Sequence, residues 1–293
     1  MHVFVTGGTG TIGTAVVAEL VSAGHTVSAL ARSERSAAAL RAAGATPRSG
    51  SLTDLDVLRA GAREAEGVVS LAFSNDFSSP EALERGIAEE AAAMAALGEG
   101  LVGTDRPFVV VSGTPWIAGR ASVETDPLPL EGPVAGRARS VLAALELADR
   151  GVRVSAIRLP RTVHADGAGG FAGILTDVAR TTGTAGWPGT GDQRWPAVHA
   201  RDAAVLFRLA LEGAPAGSVW HAVADEGDRV RDIASVIGRR LGLPTGAVAD
   251  EAFGAFAPIF AMDQPSSGAA TQRALGWEPT HPSLLADLEN VTA

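Results

Sequence analysis

Three glycines near the start of the chain have the spacing needed to bind a phosphate group. Gly7, Gly10 and Gly13 follow the apolar run at residues 3–6 and precede a helix-like run at residues 14–23. Gly7 allows a tight turn, Gly10 lets the backbone approach a pyrophosphate, and Gly13 lets the helix pack on the strand. A helix N-terminus also presents free N–H groups and a positive dipole end. The pattern predicts a dinucleotide site, with an ordinary glycine-rich loop as the alternative.

The end of the second predicted strand indicates which dinucleotide would bind. An Asp or Glu about 20 residues after the glycines usually binds the ribose 2′-OH. Here Ala31 occupies that place and is followed by Arg32 and Ser33. Arginine supplies charge-assisted donors that suit a 2′-phosphate. We therefore predict NADP(H) rather than NAD(H) as the cofactor, and the alternative is that Arg32 and Arg35 are only solvated.

The composition narrows the classes of function. The 293 residues carry a net charge of −9, without a basic stripe that could neutralise nucleic-acid phosphates. No apolar run is long enough to span a bilayer, and the chain starts directly with a strand rather than a signal peptide. Cysteine is absent, which excludes disulfides and thiolate chemistry. We expect a cytoplasmic enzyme for a small-molecule substrate, without nucleic-acid or membrane partners, and a homodimer stays open.

Two further absences restrict the chemistry of such an enzyme. The chain contains no tyrosine, and all 24 of its basic residues are arginine, so lysine is absent as well. No phenol can therefore serve as a proton donor, and no side-chain amine can form a Schiff base or lower the pKa of a phenol. A composition biased toward Ala, Gly and Arg explains part of this, but the chemical consequence is the same.

Strand and helix patterns alternate through the first 160 residues, which predicts an α/β fold with a doubly wound parallel sheet of the Rossmann type. The predicted strands lie at residues 3–6, 26–31, 45–49, 67–73, 108–111, 152–158 and 219–223. Helices are predicted at 14–23, 36–43, from 54 onward, and at 80–97, 137–150, 171–181, 202–212 and 230–241. After Pro160 the pattern loosens, and helical pieces separated by prolines follow residue 249. We predict a dinucleotide-binding domain at 1–160, rejoined by about 195–223, and a smaller substrate lobe from 161–194 and 224–293.

Short motifs run nearly end to end along the chain. They are TGGTGTIG at residues 6–13, GSLTD at 50–54, VSLAF at 69–73, VVSGT at 110–114, IRLP at 157–160, WPAVHARDA at 195–203 and LGWEP at 275–279. Together they resemble the extended or atypical short-chain dehydrogenase/reductase superfamily, the branch with nucleotide-sugar epimerases, dehydratases and hydroxysteroid-dehydrogenase-like reductases. The set is specific for the superfamily and does not identify the substrate.

The resemblance implies a set of cofactor contacts. The pyrophosphate would lie on Gly7, Gly10, Thr11, Ile12 and Gly13, and Leu71, Ala72 and Phe73 would line the ribose. Ser51 and Leu52 would flank the adenine, although the family usually has Asp where Ser51 stands. Pro160 and Val163 would lie by the nicotinamide, and Ser112 of the VVSGT motif is counted among the cofactor residues.

The resemblance also exposes a gap in the catalytic set. The family usually has Ser or Thr after the fifth strand, then Tyr-x-x-x-Lys on the following helix. Thr114 matches the first member, whereas the Tyr position falls near Gly132 or Pro133 and the Lys position near Gly136 or Arg137. The usual acid is therefore missing. Arg137 is a candidate ribose-binding or electrostatic group, but it stays protonated and cannot donate a proton.

Three accounts of the gap compete. Another proton donor could act, either Thr114, water or His164, whose imidazole has a suitable pKa range; His199, Asp126 and Asp166 are weaker candidates. The substrate could instead need little acid assistance, as an iminium or activated enone would. The protein could also bind NADPH without turnover. We predict NADPH-dependent reduction of a small, largely apolar carbonyl or related C=X group; the alternatives are a non-catalytic NADPH-binding regulator and a redox-neutral epimerase or isomerase.

Aromatic residues in the predicted lobe bear on the substrate. Loop and lobe positions hold Trp116, Phe171, Trp187 and Trp195, and the C-terminal part adds Phe253, Phe256, Phe260 and Trp277. If the first four converge, the pocket is apolar and suits a carbonyl more than a sugar nucleotide. The alternative is ordinary lobe packing, and the C-terminal set is either a lid or core. A second diphosphate would find only Arg161, Arg180 and Arg194 to hold it.

Overall fold

The computed structural model describes residues 1–74, 76 and 78–290, and for residues 255, 256 and 290 it describes the backbone alone. The strands are β1 (His2–Thr6), β2 (Thr26–Ala31), β3 (Thr46–Ser49), β4 (Gly67–Ser70), β5 (Pro107–Gly113), β6 (Arg153–Leu159), β7 (Thr162–His164), β8 (Ala185–Trp187), β9 (Arg194–His199), β10 (Ser218–His221), β11 (Asp225–Arg229) and β12 (Thr245–Ala247). The helices are α1 (Thr11–Ser22), α2 (Glu34–Ala42), α3 (Leu55–Glu64), α4 (Pro80–Glu99), α5 (Ala135–Leu145), α6 (Gly170–Thr182), α7 (Ala200–Gly213), α8 (Val230–Leu241), α9 (Ala257–Phe260), α10 (Ala269–Leu275) and α11 (Leu284–Asn290). Short 3₁₀ segments span Glu146–Arg150 and Asp250–Phe256.

The central sheet confirms the predicted doubly wound α/β fold. Its seven strands lie in the order β10-β6-β5-β4-β1-β2-β3, and every neighbouring pair is parallel. The chain winds one way from β1 to β3 and the other way from β4 to β6. The direction therefore reverses between β1 and β4, where Thr6 pairs with Ser70. Ligands of such sheets bind outside the strand ends at this reversal.

Alternate residues of β1 explain why both faces of the sheet are covered. Val3 and Val5 pack into one apolar cluster with residues of α1 and α7. Phe4 points the other way and packs into a second cluster with residues of α3, α4 and α5. All three side chains are fully buried. A parallel strand covered on both faces reads as a continuous apolar run, which is the pattern of this stretch in the sequence.

The smaller lobe contains strands that the sequence reading did not predict. A three-stranded sheet has the order β11-β9-β7, and β12 pairs with β8. Several of these strands have only three residues, and β8 and β12 contain glycine. Such short segments lack enough alternating residues to show a period of two. Their core is a third cluster that includes Trp195, Phe260 and Ile233.

Most predicted boundaries shift by a few residues, and two of the predicted elements end three or more residues too late. The strand predicted at residues 67–73 ends at Ser70, because the Leu71 N–H still bonds the Thr6 carbonyl but the chain then leaves the ladder. The helix predicted at residues 137–150 is α5, which stops at Leu145 and tightens into the 3₁₀ segment. Both errors concern boundaries, and neither changes the order of the sheet.

A buried histidine in β10 leads to a stability prediction. His221 is 0% exposed, its Nδ1 donates to the Ser267 carbonyl over 3.0 Å, and its Nε2 has no partner among the described residues. Burial, helped by the nearby Arg158 charge, lowers the pKa of His221 to about 4. The imidazole is therefore neutral in the folded protein at pH 7, and protonation favours the unfolded chain.

We expect the free energy of unfolding to fall by about 1–3 kcal/mol through this group as the pH drops from about 6.5 toward 4. His221→Gln should remove that slope in urea unfolding measured at several pH values. Burial raises the pKa of Asp228 to about 6, which gives the unfolding free energy the opposite pH dependence in both proteins. Subtracting the two pH profiles therefore leaves the contribution of His221. Parallel pH profiles for the two proteins would contradict the assignment.

Candidate cofactor and substrate site

Neighbouring backbone atoms leave no room for a side chain at two positions of the glycine turn between β1 and α1. Gly7 has a φ of +75°, and a Cβ there would lie 2.7 Å from the Ala72 backbone nitrogen. A Cβ on Gly13 would lie 2.0 Å from the Gly7 carbonyl oxygen. Contacts this short exclude any side chain. Packing within the protein is thus enough to require glycine at both positions.

Gly10 differs, because none of the contacts within the described residues requires a glycine there. Its φ is −79° and its ψ is 171°, a conformation open to any residue. A Cβ would meet nothing closer than the Gly7 oxygen at 3.6 Å, an ordinary contact. Gly10 is also exposed. The missing side chain keeps a surface clear beside the turn, as the approach of a pyrophosphate would need.

The N-terminus of α1 is open on the same side. Gly10 is its N-cap, and no side chain caps the helix, whereas Ser33 caps α2 and Ser79 caps α4. The backbone N–H groups of Thr11, Ile12 and Gly13 stand in the first turn, where a helix offers no internal acceptor. These donors and the dipole attract an anion. The turn and helix therefore fit a dinucleotide pyrophosphate.

The residues after β4 lie against this turn. The Ala72 N–H is 3.4 Å from the Thr6 hydroxyl, and the Ala72 backbone closes on Gly7. Leu71, Ala72 and Phe73 are all half-buried. The structure thus brings the predicted ribose residues next to the predicted pyrophosphate residues.

The adenosine end of the site has an exposed arginine beside a buried alanine. Ala31 is buried at the end of β2, and Arg32 and Arg35 are exposed; within residues 1–74, 76 and 78–290, neither arginine forms an ion pair. The Ser33 hydroxyl accepts from the Ser36 N–H over 3.2 Å in a capping box. The position at the end of β2 that usually holds the ribose-binding acid is therefore occupied by alanine.

The loop after β3 is organised by its own side chains. The Ser51 hydroxyl donates to Asp54 over 2.8 Å and lies 2.9 Å from the Thr53 hydroxyl. The bonds that Asp54 accepts from the Ser51 hydroxyl and the Ser51 N–H lower the pKa of Asp54. Leu52 is half-buried and packs against the cluster that contains Phe4. Ser51 thus fixes the loop, and the adenine contact assigned to it stays a prediction.

Thr114 has a buried hydroxyl with no partner. It follows β5, its N–H donates to the Leu159 carbonyl over 2.9 Å, and the Gln264 side-chain amide donates to its own carbonyl over 2.7 Å. The residue is 6% exposed, and its Oγ1 has no hydrogen-bond partner among the described residues. An unpaired buried hydroxyl costs free energy, so it needs an explanation. A substrate oxygen would supply the missing partner.

Arg137 lies near the start of α5, and a buried carboxylate fixes its position. Its Nε and Nη2 donate to the two oxygens of Glu90 over 2.9 and 2.8 Å, and Glu90 is 1% exposed. The guanidinium also lies 4.0 Å from the centre of the Phe73 ring. Arg137 is therefore held beside one of the predicted ribose residues. Glu90 was not predicted, and no sequence pattern points to it beyond its place in the helix predicted at residues 80–97.

His164 lies elsewhere, in the interior of the protein. It is 0% exposed, its Nδ1 lies 2.7 Å from Asp287, and its ring meets the edge of His199 at 5.3 Å. Pro160 and Val163, which precede it, are also buried. Its Nε2 is buried and has no partner among the described residues, while the Asp287 carboxylate holds its Nδ1. The catalytic role predicted for His164 therefore stays a prediction.

The weaker acid candidates also have other partners. His199 caps α7 by accepting the Arg201 N–H, and burial lowers its pKa. Asp126 accepts two bonds from Arg120, which lower its pKa to about 2, so it is ionised at neutral pH. Asp166 is an exposed turn residue with a φ of +53°. None of the three is poised to donate a proton.

The predicted aromatic residues do not converge as a set. Trp195 is fully buried and packs on Phe260 and Phe171 at ring distances of 5.1 and 5.9 Å. Trp116 is 50% exposed, and Trp187 is half-buried. In the C-terminal set, the buried residues Phe253, Phe260 and Trp277 are core, and the Phe256 side chain lies outside the description. Phe171 and Trp195 lie beside the guanidinium of Arg161, at 4.9 and 5.7 Å from its carbon to the ring centres.

Arg161 and Gln264 join the smaller lobe to Thr114. The Arg161 Nη2 donates to the Gln264 side-chain oxygen, and the other end of that amide holds the Thr114 carbonyl. The Arg161 guanidinium also lies 4.9 Å from the Phe171 ring centre and 5.7 Å from that of Trp195. The position of Arg161 after Pro160, at the end of β6, is the one sequence signal that points to it. Gln264 lies in an irregular segment, and no sequence signal points to it.

The open glycine turn at the sheet reversal and the residues after β4, β5 and β6 define a Rossmann fold of the extended short-chain dehydrogenase/reductase type. The model of the NAD dependent epimerase/dehydratase family matches residues 3–222. The chain therefore belongs to that family, whose name assigns a nicotinamide dinucleotide to its members. Uncharacterized proteins of Schizosaccharomyces pombe and Saccharomyces cerevisiae are 42% and 37% identical over 98% of both chains.

Solved structures share the whole fold at low identity. A UDP-glucose 4-epimerase from Thermotoga maritima has a TM-score of 0.80 at 19% identity, and the match covers 99% of this chain and 97% of that one. The dTDP-glucose 4,6-dehydratase DesIV from Streptomyces venezuelae has a TM-score of 0.78 at 20% identity, with coverage of 99% and 96%. These likenesses establish the fold and leave the reaction open.

Two other kinds of site are absent from the part of the chain that the structure describes. None of the described helices combines the length and apolar character needed to cross a membrane. Nor do the described residues group three or more His, Cys, Asp or Glu side chains in a way that could hold a metal ion.

Proposed function

We propose that the protein is an NADPH-dependent oxidoreductase that reduces a carbonyl or a related C=X group. The observation that carries this proposal is the buried hydroxyl of Thr114, which has no partner among the described residues and follows β5 at the same carboxyl edge of the parallel sheet as the glycine turn after β1. A hydroxyl in that state can donate to a substrate oxygen without first breaking another bond. When bound, NADPH supplies a hydride to the carbon of the C=X group.

Several residues would hold the cofactor. The N–H groups of Thr11, Ile12 and Gly13 would bind the pyrophosphate, with Gly10 leaving room for it. Arg32 and Ser33 would face the 2′-phosphate, since no acidic side chain stands at Ala31 to bind a ribose diol. Solved relatives of this fold carry NAD, as the DesIV dehydratase does. The preference for NADPH in this chain rests on Ala31 and Arg32.

Arg137 would act through its charge. Its guanidinium stays protonated, and the bidentate bond to Glu90 fixes it beside Phe73. In this position it takes the place of the family's lysine as a group that organises the ribose side of the site. The Glu90 carboxylate offsets most of the charge, so Arg137 orients and polarises but does not transfer a proton.

A redox-neutral epimerase or isomerase is the second candidate, because the family and the solved relatives include epimerases. Epimerisation through a ketone starts by oxidising an alcohol, which needs a base for the hydroxyl proton. Without tyrosine and lysine, and with Asp126 ionised at a pKa of about 2, a strong base is lacking among the candidates considered. Reduction of an activated C=X group needs less proton transfer, which favours the reductase.

The proposal is tested by following NADPH absorbance with aldehydes, ketones, enones and imines. Steady consumption supports a reductase. Tight binding with no consumption for any of these compounds supports a non-catalytic NADPH-binding regulator, and product without net consumption supports the isomerase.

The cofactor preference has its own test. Arg32→Ala should raise the Kd of NADPH about 10- to 100-fold, because it removes charge-assisted bonds to the 2′-phosphate. The Kd of NADH, measured in parallel by fluorescence titration, should stay the same. Arg41→Ala is the matched control, since Arg41 is exposed on α2 and pairs with Glu34. Tighter binding of NADH than NADPH by the unmodified protein would overturn the preference.

A further inference from the structure

The guanidinium of Arg161 has only neutral partners. Its Nη1 donates to the Ile259 carbonyl over 2.9 Å, and its Nη2 contacts the Met262 sulfur at 3.5 Å and donates to the Gln264 side chain. Its Nε is buried and has no partner among the described residues. At least one donor of the group is therefore unused.

The charge of Arg161 is also uncompensated. No carboxylate lies within 4 Å of it in the part of the chain described. Burial lowers the pKa of Arg161 to about 10, so the group still carries its charge at pH 7. The other arginines considered for this lobe differ, because Arg194 pairs with Asp263 and Arg180 pairs with Asp177. Buried charges are normally paired, so an anion is missing from this site.

The place of the guanidinium links it to the proposed reaction centre. Arg161 follows β6 and Thr114 follows β5, and these strands pair up to their last residues, Gly113 with Leu159. The Gln264 amide bridges the Arg161 guanidinium and the Thr114 backbone. The unpaired cation and the unpaired hydroxyl therefore lie at the same end of the sheet, separated by one side-chain amide.

We propose that Arg161 binds a carboxylate of the substrate, while Thr114 contacts the C=X group that is reduced. The substrate class is an oxo acid: an aldehyde, ketone or imine with a carboxylate on the same molecule. A single unpaired guanidinium matches the single charge of a carboxylate, and the rings of Phe171 and Trp195 beside it are apolar. This inference rests on the proposed function, because it names the substrate of the same site.

A purely structural role is the competing account. Arg161 could serve only to satisfy the Ile259 carbonyl in α9 and to pack on two rings. If that role were the whole explanation, replacing Arg161 would lower kcat/KM by the same factor for charged and neutral substrates. The two accounts are separated by substrates that differ in the carboxylate alone.

The experiment compares free acids with their methyl esters, using phenylglyoxylate and 4-carboxybenzaldehyde as the acids. The wild-type protein should prefer the acids, and Arg161→Met should lower kcat/KM for an acid about 10- to 100-fold relative to its ester. Arg161→Lys keeps the charge but lacks the planar guanidinium. Its ratio of kcat/KM for the acid to kcat/KM for the ester should lie between those of the wild type and Arg161→Met. Arg180→Gln, on the exposed side of α6, should leave the ratio unchanged. Calorimetric titration of the NADP⁺-loaded protein with benzoate should show binding that Arg161→Met abolishes.

The outcomes separate this inference from the proposed function. The carboxylate site is wrong if the wild-type protein reduces the ester with the same kcat/KM as the acid. It is also wrong if Arg161→Met and Arg161→Lys lower kcat/KM equally for acid and ester. In both cases the proposed reductase function stands. If the wild-type protein reduces neither compound, the proposed function loses support, and the benzoate titration decides the inference. Failure of the wild-type protein to bind benzoate at millimolar concentration would then overturn it.

Discussion

Replacing Thr114 with valine is expected to lower kcat about 100-fold while the Kd of NADPH stays the same. The substitution keeps the shape of the side chain and removes its hydroxyl, which is the proposed donor to the substrate oxygen. Loss of one preorganised donor of this kind costs about 100-fold or more in turnover. Steady-state kinetics and a fluorescence titration of NADPH measure the two quantities.

The same substitution should stabilise the fold. Thr114 Oγ1 is buried without a partner, so replacing it with a methyl group removes a desolvation cost of about 1 kcal/mol and raises Tm by about 2 °C. Thr162→Val is the matched control, since its hydroxyl is also buried and unpartnered. That variant should gain similar stability with unchanged turnover. Wild-type kcat in Thr114→Val would remove the hydroxyl from the mechanism.

Replacing Gly10 with alanine is expected to raise the Kd of NADPH about 10- to 100-fold without weakening the fold. The new methyl group meets no protein atom closer than 3.6 Å, so the turn should keep its conformation. It would occupy the space left for the pyrophosphate, and overpacking of this size costs about 1–3 kcal/mol. Thermal unfolding without cofactor and a binding titration separate the two effects.

Gly213→Ala controls for the general effect of adding a methyl group to a glycine. Gly213 ends α7, and a Cβ there would meet nothing within 4 Å. It should leave NADPH binding unchanged and leave Tm the same or slightly higher. If Gly10→Ala binds NADPH as tightly as the wild type, the open surface at Gly10 is not the pyrophosphate site.

The cofactor half of the molecule was predictable from sequence because its signals are local. The glycine spacing, the apolar strand before it and the end of β2 at Ala31 each lie within a few residues, and the seven-stranded sheet follows from the alternation of elements. The residue type alone could not show that the packing of the turn requires glycine at positions 7 and 13 and leaves room for a Cβ at position 10. That distinction needs the positions of neighbouring atoms.

The candidate substrate site was less predictable because its contacts join distant parts of the chain. Gln264 meets Thr114 across 150 positions and Arg161 across 103, and no spacing rule links them. Sequence reasoning selected His164 for its chemistry, but a partner 123 positions away, Asp287, holds it inside the protein. The sequence presents Arg161 as one of three arginines in this region. The structure separates it from the other two, because Arg180 pairs with Asp177 and Arg194 pairs with Asp263.

The most direct test of the account is transfer of deuterium from NADPH labelled at C4 of the nicotinamide to an added carbonyl compound. We predict that mass spectrometry will find the label in the alcohol product, with one NADPH oxidised per product formed. Saturable NADPH binding without label transfer to any aldehyde, ketone, enone or imine would contradict the account, as would product formed with no net loss of NADPH.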